Sequence, residues 1–177
     1  MPAELKGSCH CGAVRFKFLS NTPVPYQVSK LHPLGHHTDC ASTGEQLCQC
    51  SICRKVGGFM GSVNIMGLTK SLSIDGESNL KQYTPKNSET GKPLTSKRFF
   101  CQNCASMLWL HDPTYDEWIY PFASAIDSPL PKAENTLTIM RSSCPDYVPV
   151  PEGSSPLQSY GDESIEEWHK SRGLWVD

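Results

Sequence analysis

Apolar and polar residues alternate with a period of two across Val14, Arg15, Phe16, Lys17 and Phe18. That rhythm predicts a half-buried strand, because successive side chains of a strand face opposite sides. Prolines at 23 and 25 end it. Residues 28–46 are polar and without period; they include His32, His36, His37 and Cys40 and read as a long loop or insertion. Residues 54–58, Arg-Lys-Val-Gly-Gly, are too rich in glycine for more than one helical turn. A strand is predicted over 59–66, with Val63 and Ile65 on one face. Short strands follow over 72–74 and 80–83, around a turn at Asp75-Gly76. Residues 86–93 read as loop. Residues 98–100 and 107–110 form a hairpin with Cys101-x-x-Cys104 at its tip, a zinc-knuckle arrangement. Strands over 118–123 and 136–140 complete a mostly antiparallel set. After the proline-rich stretch from Pro145, Ser164-x-x-Glu167 marks the start of one short helix through a capping box. Ile165 and Trp168 would share its packed face.

The chain is thus expected to be mainly β, built of short antiparallel strands with a short C-terminal helix. Its 177 residues suit one domain spanning 1–177. Fourteen prolines, thirteen glycines and a charged fraction of only 19% favour loops and strands over long helices. Apolar residues are adequate but not abundant, so metal crosslinks are expected to supply part of the stability. A net charge of −2 gives no electrostatic case for nucleic-acid binding. The mildly basic stretch 92–98 reads as a solvated turn. No run approaches the ~18 apolar residues of a membrane span. The expected partner is a small molecule, with neither nucleic acid nor membrane; nothing in the sequence sets the oligomeric state.

Seven of the nine cysteines fall into three clusters: Cys9-His-Cys11, Cys48-Gln-Cys50-Ser-Ile-Cys53 and Cys101-Gln-Asn-Cys104. Two pairs supply four thiolates and the triplet supplies three. A closed tetrahedral zinc site takes four ligands, while a catalytic one keeps three and leaves a position open. The count therefore reads as one structural zinc and one zinc with a vacancy. Cys9 and Cys11, two apart at the entrance of the first predicted strand, would face one metal together. Disulfides fit poorly: the count is odd, Cys-x-Cys spacing suits chelation, and no apolar signal segment follows Met1. A reducing, cytoplasmic setting is expected instead. Iron–sulfur ligation stays open on spacing alone, although the ferredoxin-like run of repeated Cys-x-x-Cys is absent. A third reading makes both sites structural, with His36, His37 or Cys40 closing the triplet. His10 and His111 read as surface and structural residues, Cys40 and Cys144 as ordinary thiols, and Trp109 and Trp118 as core.

Three segments carry a resemblance. Gly7-Ser-Cys9-His-Cys11-Gly-Ala-Val14-Arg-Phe16, Cys48-Gln-Cys50-Ser-Ile-Cys53-Arg-Lys55 and Phe100-Cys101-Gln-Asn-Cys104 resemble the glutathione-dependent formaldehyde-activating enzyme family, which also includes a vertebrate centromere protein. Phe122-Ala-Ser124-Ala-Ile126-Asp127 is similar to the family's segment after the last cysteines, where Gly-x-Leu-Asp is usual. The resemblance runs in order over about residues 7–150, leaving 151–177 as a C-terminal extension. It implies a compact β fold of the Mss4-like type. It also implies a structural zinc held by Cys9, Cys11, Cys101 and Cys104, and a catalytic zinc held by Cys48, Cys50 and Cys53. The implied reaction joins formaldehyde to glutathione, the co-substrate, as S-hydroxymethylglutathione; formally this is a carbon–sulfur lyase reaction in reverse. Gln49 stands where the family usually carries histidine, and Ala105 where glycine is common.

The triplet's chemistry is thiol activation. A free thiol with a pKa near ~8.5 is mostly protonated at neutral pH, and a metal removes that proton. Three anionic ligands on Zn²⁺ leave a site of charge −1, which favours sulfur chemistry over water activation. Arg54 and Lys55, next to the last ligand, are candidates for a glutathione carboxylate. Two alternatives stand beside the leading one: a zinc-stabilised binding module without catalysis, and a lyase or dehydratase of specialised metabolism acting on a larger substrate.

Overall fold

The computed structural model describes residues 1–23, 44–88, 90–131 and 135–177. In chain order the elements are β1 (Ala3–Ser8), β2 (Arg15–Ser20), β3 (Gly44–Cys48), α1 (Ser51–Gly57), β4 (Ser62–Val63), β5 (Gly67–Leu68), β6 (Ser73–Asp75), β7 (Leu80–Tyr83), β8 (Lys97–Cys101), β9 (Met107–His111), β10 (Trp118–Pro121), β11 (Asn135–Ile139), β12 (Ser155–Pro156) and α2 (Ile165–Ser171). The fold is mainly β, as its composition requires. The chain divides into two compact units.

The first unit takes residues 1–23, 64–129 and 176–177. It holds a three-stranded sheet, β1-β2-β6, and a five-stranded sheet, β5-β10-β9-β8-β7, all antiparallel. The alternation in β2 resolves as expected: Phe16 and Phe18 are buried while Arg15 and Lys17 are exposed. Trp109 of β9 stacks on Phe99 at 5.3 Å between centroids and meets Phe16 at 5.2 Å, tilted by 59°. Such aromatic pairs add about 0.5–1.5 kcal/mol to the gain from burial. Gly67 lies where a Cβ would come within 2.3 Å of the Phe18 ring, so only glycine lets β5 pass this aromatic core.

The second unit takes the described parts of 24–63 and 130–175. Its sheet runs β12-β11-β3-β4, with β11 parallel to both neighbours and β3–β4 antiparallel. The parallel pairings depart from the antiparallel arrangement expected of the 136–140 strand. Leu137, Thr138 and Ile139 are all buried, as befits a central parallel strand covered on both faces. The Thr138 hydroxyl is satisfied by Ser154 Oγ at 2.6 Å.

Several local expectations need correction. The helix expected to be one turn at most runs from Ser51 to Gly57, because it starts inside the cysteine triplet and uses Cys50 as its N-cap. The strand expected over 59–66 is confined to Ser62–Val63, with isolated bridges at Asn64 and Met66. Residues 44–46, placed in the presumed insertion, belong to β3; residues 28–43, including His32, His36, His37 and Cys40, lie outside the described residues. Strand β1 carries no alternating signal in the sequence, because Leu5 is the one bulky apolar residue it sends inward.

Helix α2 begins as its sequence requires. The Glu167 amide donates to Ser164 Oγ at 3.2 Å, and the Ser164 amide donates to Glu167 Oε2 at 2.9 Å. Trp168 is fully buried. Replacing Ser164 with Ala is expected to lower stability by about 1 kcal/mol, and Ser164→Thr by much less. Thermal unfolding of the full chain checks this, as a shift of about 2–4 °C for Ala.

Candidate metal centres

Two sets of sulfurs are brought together, each within one unit. Cys9, Cys11, Cys101 and Cys104 have all four Sγ atoms within 4.8 Å of one another, as do the three of Cys48, Cys50 and Cys53. None is in a disulfide. Tetrahedral zinc with Zn–S bonds of about 2.3 Å puts neighbouring sulfurs about 3.8 Å apart. The first set gives 3.5 Å for Cys9–Cys11 and 3.8 Å for Cys11–Cys101. The four-sulfur set therefore fits a soft, tetrahedral metal ion, and the triplet brings three soft donors close enough to share one.

The four-sulfur set joins two turns. Cys9 and Cys11 occupy the β1–β2 turn and not a strand; the turn is closed by Gly12, at φ 73°, donating to the Cys9 carbonyl at 2.9 Å. The Val14 amide donates to Cys9 Sγ at 3.2 Å. At the β8–β9 turn, the Ala105 amide donates to the Cys101 carbonyl at 2.8 Å, and Ser106 Oγ lies 3.3 Å from Cys104 Sγ. The Ser106 hydroxyl and amide hold the Cys104 thiol down at about 5. Cys11 goes the other way: the Ala13 amide favours its thiolate, but crowding by Cys9, Cys104 and Cys101 pushes it up to about 12. Like charges cannot share so small a volume without protons or a cation between them.

The triplet straddles a strand–helix junction. Cys48 ends β3, Cys50 caps α1 by accepting from the Cys53 amide at 3.4 Å, and Cys53 is buried in the helix's first turn. The S–H groups of Cys48 and Cys53 draw the Cys50 thiol down to about 2, while giving its hydrogen to Cys50 pushes Cys48 up. Gly61, at φ 112°, lies where a Cβ would come 2.2 Å from the Cys48 carbonyl oxygen, so the chain after α1 is pressed onto the junction. Among the described residues no other His, Cys, Asp or Glu groups with the three sulfurs.

The remaining candidates are placed as follows. Lys55 is exposed on α1. Arg54 gives Nε to the Gln49 carbonyl at 3.0 Å and Nη2 to the Ser143 carbonyl at 3.4 Å. His10 is exposed, and His111 Nε2 sits 3.1 Å from Asp116 Oδ1. Gln49, Arg141 and Cys144 form a hydrogen-bonded group beside the triplet, with Gln49 and Cys144 buried. Arg141 carries no signal in the sequence, being an isolated arginine more than eighty residues from the triplet.

The sequence profile of the glutathione-dependent formaldehyde-activating enzyme family matches residues 34–139. A Halomonas elongata protein provisionally named a glutathione-dependent formaldehyde-activating enzyme is 38% identical over 173 residues, covering 96% of this chain and 97% of its own. A crystal structure of a Rhodobacter sphaeroides protein is 23% identical, covering 71% of this chain and 91% of that one at a TM-score of 0.44, a likeness too slight to argue from. No helix among the described residues is long and apolar enough to cross a membrane.

Ala105, in the position where the sequence resemblance leads one to look for glycine, has φ 59°. A left-handed backbone costs a non-glycine residue about 1–2 kcal/mol. Ala105→Gly is accordingly expected to leave stability unchanged or raise it by up to about 1 kcal/mol, since the looser unfolded chain offsets part of the relief. Denaturant unfolding of the metal-loaded chain reads the difference.

Proposed function

The chain belongs to the glutathione-dependent formaldehyde-activating enzyme family, and from that premise we propose that it makes or breaks a carbon–sulfur bond between glutathione and a small electrophile. Its chemistry is that of an S-hydroxymethylglutathione synthase, formally a carbon–sulfur lyase. It takes two zinc ions per chain: a structural one at Cys9, Cys11, Cys101 and Cys104, and a catalytic one at Cys48, Cys50 and Cys53. The contrast between the two clusters carries this reading: four sulfurs complete a tetrahedron, while three leave a position for a substrate sulfur. Cys48, Cys50 and Cys53 would hold the zinc there, which would supply mild Lewis acidity favouring the deprotonated form of a substrate thiol. For an aldehyde, the sulfur lone pair forms the carbon–sulfur bond. The carbonyl π pair becomes an O–H bond, using the proton released by the thiol. Around that centre, the buried Cys53 and half-buried Cys48 and Cys50 limit water, and Lys55 offers a cation to a glutathione carboxylate. Arg54 contributes less to recognition, because Nε and Nη2 are engaged with backbone carbonyls.

Cys50→Ser tests the reading. Losing a partner behind a metal ligand costs about 10–100-fold in affinity or activity, and losing a ligand should cost more. The expected result is near-complete loss of glutathione-dependent turnover, with zinc falling from two equivalents to one and the circular dichroism unchanged. A variant that unfolds instead would make the triplet a structural staple.

One observation favours an electrophile larger than formaldehyde. Phe59 and Tyr147, 59% and 74% exposed, stack with centroids 6.4 Å apart. Phe59 is on the loop pressed against the Cys48 carbonyl through Gly61; Tyr147 adjoins Val148, whose carbonyl Arg141 holds. Phe59→Ala should lower kcat/KM for an aromatic aldehyde several-fold more than for formaldehyde. Equal losses for both would argue that the pair has no part in selection.

A further inference from the structure

Gln49 separates the first two cysteines of the triplet and is fully buried. Alternation continued past the end of β3 would set its side chain opposite those of Cys48 and Cys50. Nε2 donates to the Pro149 carbonyl at 3.2 Å, and Oε1 accepts from Arg141 Nη1 at 2.7 Å. The same Nη1 reaches the Val148 carbonyl at 3.0 Å and Cys144 Sγ at 3.1 Å. The Gln49 backbone is held as well: its amide donates to the Ile139 carbonyl at 3.1 Å, and its carbonyl accepts from Arg54. Every polar group of this residue is thus engaged. A hydrogen bond from a charged donor is stronger than one between neutral groups, and losing one partner of a buried pair leaves the other unsatisfied at a cost.

The segment that delivers Arg141 is itself strained. Met140, immediately before it, has φ 62°, a left-handed conformation uncommon outside glycine. Such conformations persist where their surroundings over-determine them, and they cluster at functional sites. Here the strained residue aims a guanidinium at the carboxamide that sits between two metal ligands.

We infer that Arg141 is a positioning residue for the Cys48–Cys50–Cys53 centre, acting through the buried Gln49 carboxamide. The inference rests on the reading of that triplet as a metal site. With Cys48 and Cys50 set opposite it by that alternation, pinning the Gln49 side chain and peptide fixes the directions of both thiols. Without Arg141 the carboxamide loses its charged partner, the junction relaxes, and the three sulfurs no longer converge.

The test uses the full chain loaded with cobalt in place of zinc. Affinity comes from chelator competition and ligand geometry from the visible absorption of tetrahedral cobalt thiolate. In the wild type two cobalt ions per chain are expected. Arg141→Met should weaken one of them about 10–100-fold and alter its ligand-field bands, while leaving the other unchanged. Arg141→Lys, which keeps a cation able to reach the same oxygens, should recover part of the loss and carries the test if Arg141→Met does not fold. Gln49→Ala should mimic Arg141→Met, and the double variant should be no worse than either, because the two act as one unit. The inference is overturned if Arg141→Met and Arg141→Lys lower the melting temperature while the ratio of the two affinities and the spectrum stay as in the wild type, or if the two single effects simply add. A wild type that takes up only one cobalt ion sinks the metal-site reading of the triplet itself, a failure visible before any substitution is made.

Discussion

Four sulfur atoms cannot occupy one small volume as four anions without a cation among them, and much of the first unit follows from that constraint. The Cys9–Cys11 and Cys11–Cys101 separations, 3.5 and 3.8 Å, are those of ligands around one soft ion. Without a cation, the same crowding pushes the Cys11 thiol up, while hydrogen bonds from Ser106 hold Cys104 down. These residues sit at the turns of two hairpins, one from each sheet of the unit. Whatever neutralises the sulfurs therefore also ties the sheets together. The aromatic cluster of Phe16, Phe99 and Trp109 packs within the same unit, so a metal held by these sulfurs would reinforce the structure that hydrophobic burial already favours.

In the second unit, the means differ. The triplet depends on a strand end, a helix cap and a buried carboxamide, held by hydrogen bonds in place of a second hairpin. Strand β11, parallel to β3 in register from Asn135↔Gly44 to Ile139↔Cys48, carries the chain to the point where Met140 turns and Arg141 reaches back to Gln49. Precision at the triplet is thus inherited from a parallel pairing between segments some ninety residues apart.

That difference decides what could be read from sequence. The cysteine partition, the β8–β9 hairpin, β7 and the capped α2 were legible because each is a local pattern: fixed spacing, alternation, or Ser-x-x-Glu. Strand β3 and the parallel partner of β11 were not, since parallel pairing leaves no mark within a few residues. Helix α1 was underestimated because its cap is a cysteine, a residue counted as a ligand and not as a helix starter. Cys9 and Cys11 meet, but through a glycine-closed turn and not through strand alternation. Gln49 registered as a departure from a family pattern, whereas its burial and its arginine partner needed three dimensions.

Each cysteine set is contained in its own compact unit, and this has a bearing on descent. A lineage that lost one member of the triplet would forfeit the three-sulfur centre while the four-sulfur staple of the other unit kept every ligand. If the triplet is the catalytic centre proposed above, the barrier between a catalyst and a folded relative without chemistry is a single codon. On that proposal, kinship in such a lineage would be recorded by the hairpin cysteines, and activity by the triplet.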